Sequence, residues 1–148
     1  ENLLYARALS AVKLDRIPVA EQALKRIIEI DPEHADALNA LGYTLADRTD
    51  RLVEANELIE KAIRIKPDEP AIMDSYGWVQ YRLGNLDEAV KMLRKAYAKQ
   101  PDGEVAAHLG EVLWVKGDRE EARKIWAEGR VKEPDNKVLI ETMKRLAS

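Results

Sequence analysis

The chain has 148 residues, 46% hydrophobic and 34% charged, with 24 Lys and Arg against 27 Asp and Glu for a net charge of −3, and it has no cysteine. That length can bury one continuous core, and the lack of cysteine excludes disulfides, thiolate metal sites and cysteine catalysis. The acidic balance argues against a nucleic-acid partner, which would call for a basic face, and no run of about 18 apolar residues could span a bilayer.

From the N-terminus onward the chain repeats itself. Ala20 and Pro32, Ala55 and Pro67, Ala89 and Pro101, and Ala122 and Pro134 are each 12 residues apart, and Gly42, Gly77 and Gly110 stand 12 or 13 residues before their alanines. A period near 34 predicts one supersecondary unit copied and stacked, so function is to be sought on a surface. The first unit, about 1–34, carries Leu4, Arg7, Ala8 and Ala11, then Ala20, Leu24 and Pro32, and has lost the glycine. It starts at Glu1 and enters at once into Leu3 and Leu4, which predicts a piece of a longer protein with an uncovered apolar end.

The second unit, about 35–69, runs Leu38-x2-Leu41-Gly42-x2-Leu45, Ala55-x3-Ile59, Pro67, with Thr49-Asp50-Arg51 as a one-residue insertion in its turn. The third, about 70–102, runs Met73-x2-Tyr76-Gly77-x2-Gln80, Ala89-x3-Leu93, Pro101, and the fourth, about 103–136, Ala106-x2-Leu109-Gly110-x2-Leu113, Ala122-x3-Trp126, Pro134. The small residues predict close crossings of paired helices, and Leu24, Ile59, Leu93 and Trp126, four residues beyond each alanine, fill the space between layers. The prolines end the second helix of each unit. Asn85 and Asp118, each followed by a glutamate three residues on, predict capping boxes. Over 137–148, Val138, Ile140, Met143 and Leu146 form the stripe of a helix that caps the open face of the last unit. Residues 1–148 thus predict a single all-α domain, a solenoid of four helix-turn-helix units and a capping helix.

The pattern within each unit, W-x2-L-G-x2-Y followed by A-x3-F and P, resembles the tetratricopeptide repeat (TPR). The resemblance covers about residues 1–136 and implies a right-handed superhelix whose first helices line a concave groove for an extended or helical segment of a partner protein. Carried over by position, that groove would be lined by Asn39, Tyr43, Asp47, Asp74, Trp78, Tyr81, Arg82, Glu111 and Trp114. Trp126 and Tyr76 are assigned to the core; Trp78 and Trp114 can be read either as groove anchors or as core. Tyr5, Leu9, Asn39, Ala71 and Ser75 lie near the positions where the family's carboxylate clamp needs cations and amides, so capture of a chaperone tail is not expected. An acidic, aromatic groove with Arg82 as its main cation instead suits a partner segment that is apolar and neutral to basic. The stretches 37–51, 74–84 and 107–114 further resemble the C-terminal region of long proteobacterial TPR proteins, many with a lipoprotein leader, which implies a periplasmic adaptor for the parent protein.

Constellations for catalysis are poor. His34 and His108 are far apart in the lattice, and Ser10, Ser75 and Ser148 lack a plausible base. Glu104, His108 and Glu111 share a helical face that could hold a divalent metal, but the simpler reading is a hydrated face with a surface histidine. Glu21 with Lys25, Glu57 with Lys61, Glu60 with Arg64, Asp87 with Lys91, Glu120 with Lys124, Glu128 with Lys132 and Glu141 with Arg145 predict i,i+4 ion pairs on the outer side. The expectation is a scaffold that is not an enzyme and uses no cofactor or metal. The alternative is a module that self-associates into a homo-oligomer through the N-terminal face.

Overall fold

The computed structural model describes residues 2–147, and within them the chain forms nine helices and no strand. They are α1 (Asn2–Lys13), α2 (Ile17–Ile30), α3 (Ala35–Arg48), α4 (Leu52–Ile65), α5 (Pro70–Arg82), α6 (Leu86–Lys99), α7 (Gly103–Lys116), α8 (Arg119–Lys132) and α9 (Lys137–Ala147). Ser148, the last residue of the expected cap and one of the three serines, lies outside the described residues, as does Glu1. The helices pack as antiparallel pairs, each pair leaning on the next, so that odd-numbered helices form the inner layer and α2, α4, α6 and α8 the outer one.

The small residues sit at the crossings. Ala20, Ala55, Ala89 and Ala122 are wholly buried, as are Leu24, Ile59, Leu93 and Trp126. A methyl in place of the Gly42 hydrogen would stand 2.6 Å from Ile59 Cγ1, and one on Gly77 2.6 Å from Leu93 Cγ, closer than packed carbons come. In the first pair Ala8, also wholly buried, serves at the crossing. Tyr76 differs from its expected place. It is half-buried and forms the floor of an outer cleft between α4 and α6.

The joints within units explain why no capping box forms. The backbone N–H of Asn85 donates to Gln80 O at 2.8 Å and that of Asp118 to Leu113 O at 2.8 Å. Each residue thus ends one helix in a Schellman-type bond while starting the next, so its N–H is not free for the glutamate to reach back to. The left-handed position just before is taken by Gly84 (φ 90°) and Gly117 (φ 109°), and in the first unit by Asp15 (φ 59°). Side-chain caps appear instead on inner helices and on α9: His34 accepts from Ala37 N–H, Asp102 from Val105 N–H and Asn136 from Leu139 N–H at 2.9–3.0 Å.

Helix α9 packs mainly on α7, as a further inner helix would. Its buried residues are Leu139 and Thr142, with Met143 and Leu146 half-buried beside them, so the apolar stripe begins at Leu139 and leaves Val138 at the surface. Among the expected i,i+4 ion pairs, the described residues close only Glu21 with Lys25, at 2.7 Å. Three of the other charges turn to a neighbouring element: Asp87 pairs with Lys116 at 2.9 Å, Arg145 with Glu111 at 2.5 Å, and Glu128 accepts from Tyr97 at 2.9 Å.

Candidate functional site

Three inner helices, α3, α5 and α7, meet along one wall, and their side chains join across it. His108 of α7 is buried. Its Nδ1 lies 2.8 Å from Asp74 Oδ1 on α5, and its Nε2 3.2 Å from the Tyr43 hydroxyl on α3. Burial of the ring lowers its pKa, but the charge and hydrogen bond of Asp74, helped by Glu104 and Asp47, outweigh that and raise it to about 9. At neutral pH the ring is therefore an imidazolium that donates through both nitrogens, and the Tyr43 hydroxyl is left to donate to Glu104 Oε1 at 3.5 Å. Burial also raises the pKa of Glu104, with His108 opposing, and raises that of Tyr43, with Asp47 and Glu104 adding to it. Trp78 stacks on the imidazole at 4.3 Å between centroids.

This row of contacts divides the inner face in two. The upper chamber, about 260 Å³, lies between Tyr5, Asn39, Tyr43, Asp74, Asp102 and Glu104, with no Lys, Arg or His in its lining. The Oδ1 of Asn39 is buried there without a hydrogen-bond partner among the described residues. The lower chamber, about 370 Å³, lies between Tyr43, Asp47, Trp78, His108, Glu111 and α9, which contributes Glu141, Thr142 and Arg145.

The nine residues expected to line a groove are thus placed unequally. Asn39, Tyr43, Asp47, Asp74, Trp78 and Glu111 line the chambers, and Asp74 is tied to His108. Trp78 is only 7% exposed and forms a wall rather than a free anchor. Tyr81 donates to Glu111 Oε2 at 2.8 Å, and Arg145 holds the other oxygen of Glu111. Arg82 is not the open cation the sequence suggests: its guanidinium donates to Ala46 O at the end of α3, where helix carbonyls lack partners. Trp114 is 8% exposed and faces α8, 5.5 Å from Trp126 and under the guanidinium groups of Arg119 and Arg123, so it takes no role in the inner face.

His108 itself reads as a surface residue in the sequence, and the structure buries it. The signal is present there, because Glu111, three residues on, is assigned to the inner side and the two share a face. Arg145 and Thr142 escape notice because their helix reads only as a cap. The triad Glu104, His108 and Glu111 does not converge on one point: Glu104 meets Tyr43, and Glu111 turns to Tyr81 and Arg145. Among the described residues no group of three or more His, Asp or Glu is placed to hold a metal ion, and no helix is long and apolar enough to cross a membrane.

Comparison with known proteins bears on this geometry. A family profile described as tetratricopeptide repeat matches residues 5–70 and 77–133. A TPR repeat-containing protein of Pseudomonas aeruginosa is 54% identical over 110 residues, 74% of this chain and 19% of that protein. Bacteriophage adsorption protein A of Escherichia coli is 31% identical over 85 residues, 57% of this chain and 8% of that one. The chain therefore spans a fifth or less of the length of these relatives. In fold it is similar to the crystal structure of a thermophilic TPR protein of Thermus thermophilus, with a TM-score of 0.81 at 24% identity, covering 97% of this chain and 78% of that one.

Proposed function

Because the chain belongs to the tetratricopeptide repeat family, whose fold is generally a protein–protein interaction module, we propose that it is a non-enzymatic scaffold whose inner face holds an extended or helical segment of a partner protein. The observation that carries this reading is the upper chamber, where Asp102 and Glu104 meet Tyr5, Tyr43 and the unpartnered Asn39 oxygen with no Lys or Arg in the lining, and the Asp74 carboxylate is shared with His108 behind it. Carboxylates and an idle acceptor beside aromatic rings suit a segment that is apolar and neutral to basic. The contact between Tyr43 and His108 means that such a segment seats side chains in two chambers rather than lying in one trough.

The test uses fluorescence anisotropy with labelled 12-residue peptides of apolar and basic composition. Asn39→Ala and Asp47→Lys should each weaken binding by roughly tenfold, about 1.4 kcal/mol, while melting changes little. Lys61→Ala or Lys91→Ala on the outer side should leave it intact. Equal affinity for acidic peptides, or full affinity in both inner-face variants, would reject the reading.

A second reading, self-association, is favoured by the first unit. Leu3 and Leu14 are 86% and 66% exposed there. Sedimentation at rising protein concentration tests it, with Leu3→Glu expected to abolish any dimer.

A further inference from the structure

The outer helices are latched to one another at two of their three steps, in the same register of the repeat. Five residues beyond the buried alanines of α2, α4 and α6 stand Lys25, Glu60 and Arg94; one residue before the alanines of α4, α6 and α8 stand Glu54, Glu88 and Glu121. Between α2 and α4, Lys25 Nζ lies 3.7 Å from Glu54 Oε2, and between α6 and α8, Arg94 holds Glu121 through two bonds of 2.6 and 3.0 Å. Between α4 and α6 the lattice sets Glu60 against Glu88.

At that step the chain leaves a cleft of about 510 Å³. Ile63, Met73, Tyr76 and Met92 make its apolar lining, Glu60 and Glu88 line it together, and Arg64 and Lys95 lie farther along the same two helices, with Asp68 in the turn beyond. Burial raises the pKa of the Tyr76 phenol, and the Glu88 and Glu60 carboxylates add to it, which places both acids beside the cleft floor. No ion pair crosses between α4 and α6 among the described residues; their tie is neutral, with Gln80 donating to Asn56 at 3.0 Å and accepting from Asn85 at 2.8 Å. At the positions of Asn56 and Asn85 the step before has Glu21 and Arg51, joined by bonds of 2.7 and 2.6 Å.

We propose that the cleft between α4 and α6 is a docking surface on the outer face for an amphipathic helix of a partner protein, one that presents an apolar residue with a Lys or Arg on one side and an Asp or Glu on the other. Charge complementarity fixes this occupant and its direction. A partner cation takes the place opposite Glu60 and Glu88 that Lys25 and Arg94 fill at the neighbouring steps, and its anion faces Arg64 and Lys95. From Glu60 to Arg64 is one helical turn and from Glu88 to Lys95 two, a separation of about 6–10 Å, so the partner's charges stand four to seven residues apart. The apolar residue between them fills the lining of Ile63, Met73, Tyr76 and Met92, where methionines adapt to the shape they receive.

The three methionines supply the readout. Blocked 14-residue alanine-based helical peptides, carrying Lys and Glu seven residues apart around a leucine, are titrated into protein with 13C-labelled methionine methyls. Met73 and Met92 should shift saturably while Met143, on α9, stays still, and exchanging Lys and Glu in the peptide should weaken the effect at least tenfold. Glu60→Lys should close a pair with Glu88 inside the protein, hold or raise the melting temperature and abolish the shifts, while Glu60→Gln should keep the fold and weaken them severalfold. Neither variant should alter binding of the labelled peptides to the inner face, which separates this proposal from the one above. No saturable shift at millimolar peptide, equal binding of the exchanged peptide, or undiminished binding to Glu60→Lys overturns it. So do shifts at Met73 and Met92 that grow with protein concentration alone, which would assign the cleft to a second copy of the chain.

Discussion

Helices α1 and α7 hold the same place in their units, yet only Ala8 and Ala11 of α1 are buried, whereas α7 buries eleven residues, among them His108 and Glu111. The difference lies in their neighbours. Among the described residues helix α7 packs against α5 and α6 on one side, α9 on the other and α8 behind, while α1 packs against α2 and α3 alone. Burial in a stacked fold is thus a property of position in the stack, and the same pattern of small and apolar residues gives a firm layer at one end and a thinly covered one at the other.

The largest test of that contrast compares the equivalent residues Trp126 and Leu24. Trp126→Ala should cost about 3–5 kcal/mol, because it empties space that α7 and α8 share. Leu24→Ala should cost nearer 2 kcal/mol, since thinner packing can relax. Denaturant midpoints decide it, and equal losses would break the comparison.

His108 gives the next effect and has no counterpart in α1. Its pKa is raised from 6.5 to about 9, so the stabilisation it brings is fully present below about pH 6.5 and drains away as pH rises through 9. A fall on the order of 3 kcal/mol across that window is expected in the wild-type chain. In His108→Gln the stability curve should be flat there. Unchanged pH dependence in the variant would remove the imidazolium from the account of α7.

The smallest effect is local. Amide exchange in α1 should be fast and independent of global stability, and that in the middle of α7 should report the full unfolding free energy. Equal protection in a dilute sample would mean that α1 is covered in solution.

The fold can be read from the sequence because its grammar is steric. Ala55 with Ile59, or Gly77 with Leu93, has the same meaning wherever the unit sits. The inner face is legible only incompletely, because its chemistry lies in pairs from different units: Asp74 with His108 is 34 residues apart and Tyr43 with His108 is 65. Each of those residues looks polar and exposed on its own helix. Arg82 misleads for a related reason: a cation at the last residue of its helix is within reach of a neighbouring helix's bare carbonyls. The i,i+4 pairs mislead where a stacked helix offers a charge a partner in the next layer, as Arg94 with Glu121 or Arg51 with Glu21 closes two hydrogen bonds instead of one contact.

The turn at Thr49-Asp50-Arg51 differs from the joints at Gly84 and Gly117, and the difference matters for anyone grafting new sequence into the molecule. There the Thr49 hydroxyl donates to Leu45 O at 2.6 Å and accepts from the Arg51 N–H at 3.0 Å, so a side chain, rather than a left-handed residue, shapes the bend. The Asp50 side chain stands fully in solvent, with one long contact of 3.9 Å to Arg82. A loop spliced in at Asp50 meets no backbone bond of the kind that closes Asn85 onto Gln80, and each doubling of its length adds only about 0.6 kcal/mol of closure entropy. Spliced in at Gly84, the same loop would break the bonds of 2.9 and 2.8 Å by which the Gly84 and Asn85 N–H groups close the end of α5. The extra residue of the second unit is therefore the natural port for a tag, a fluorophore or a second binding module, set at the edge of the stack.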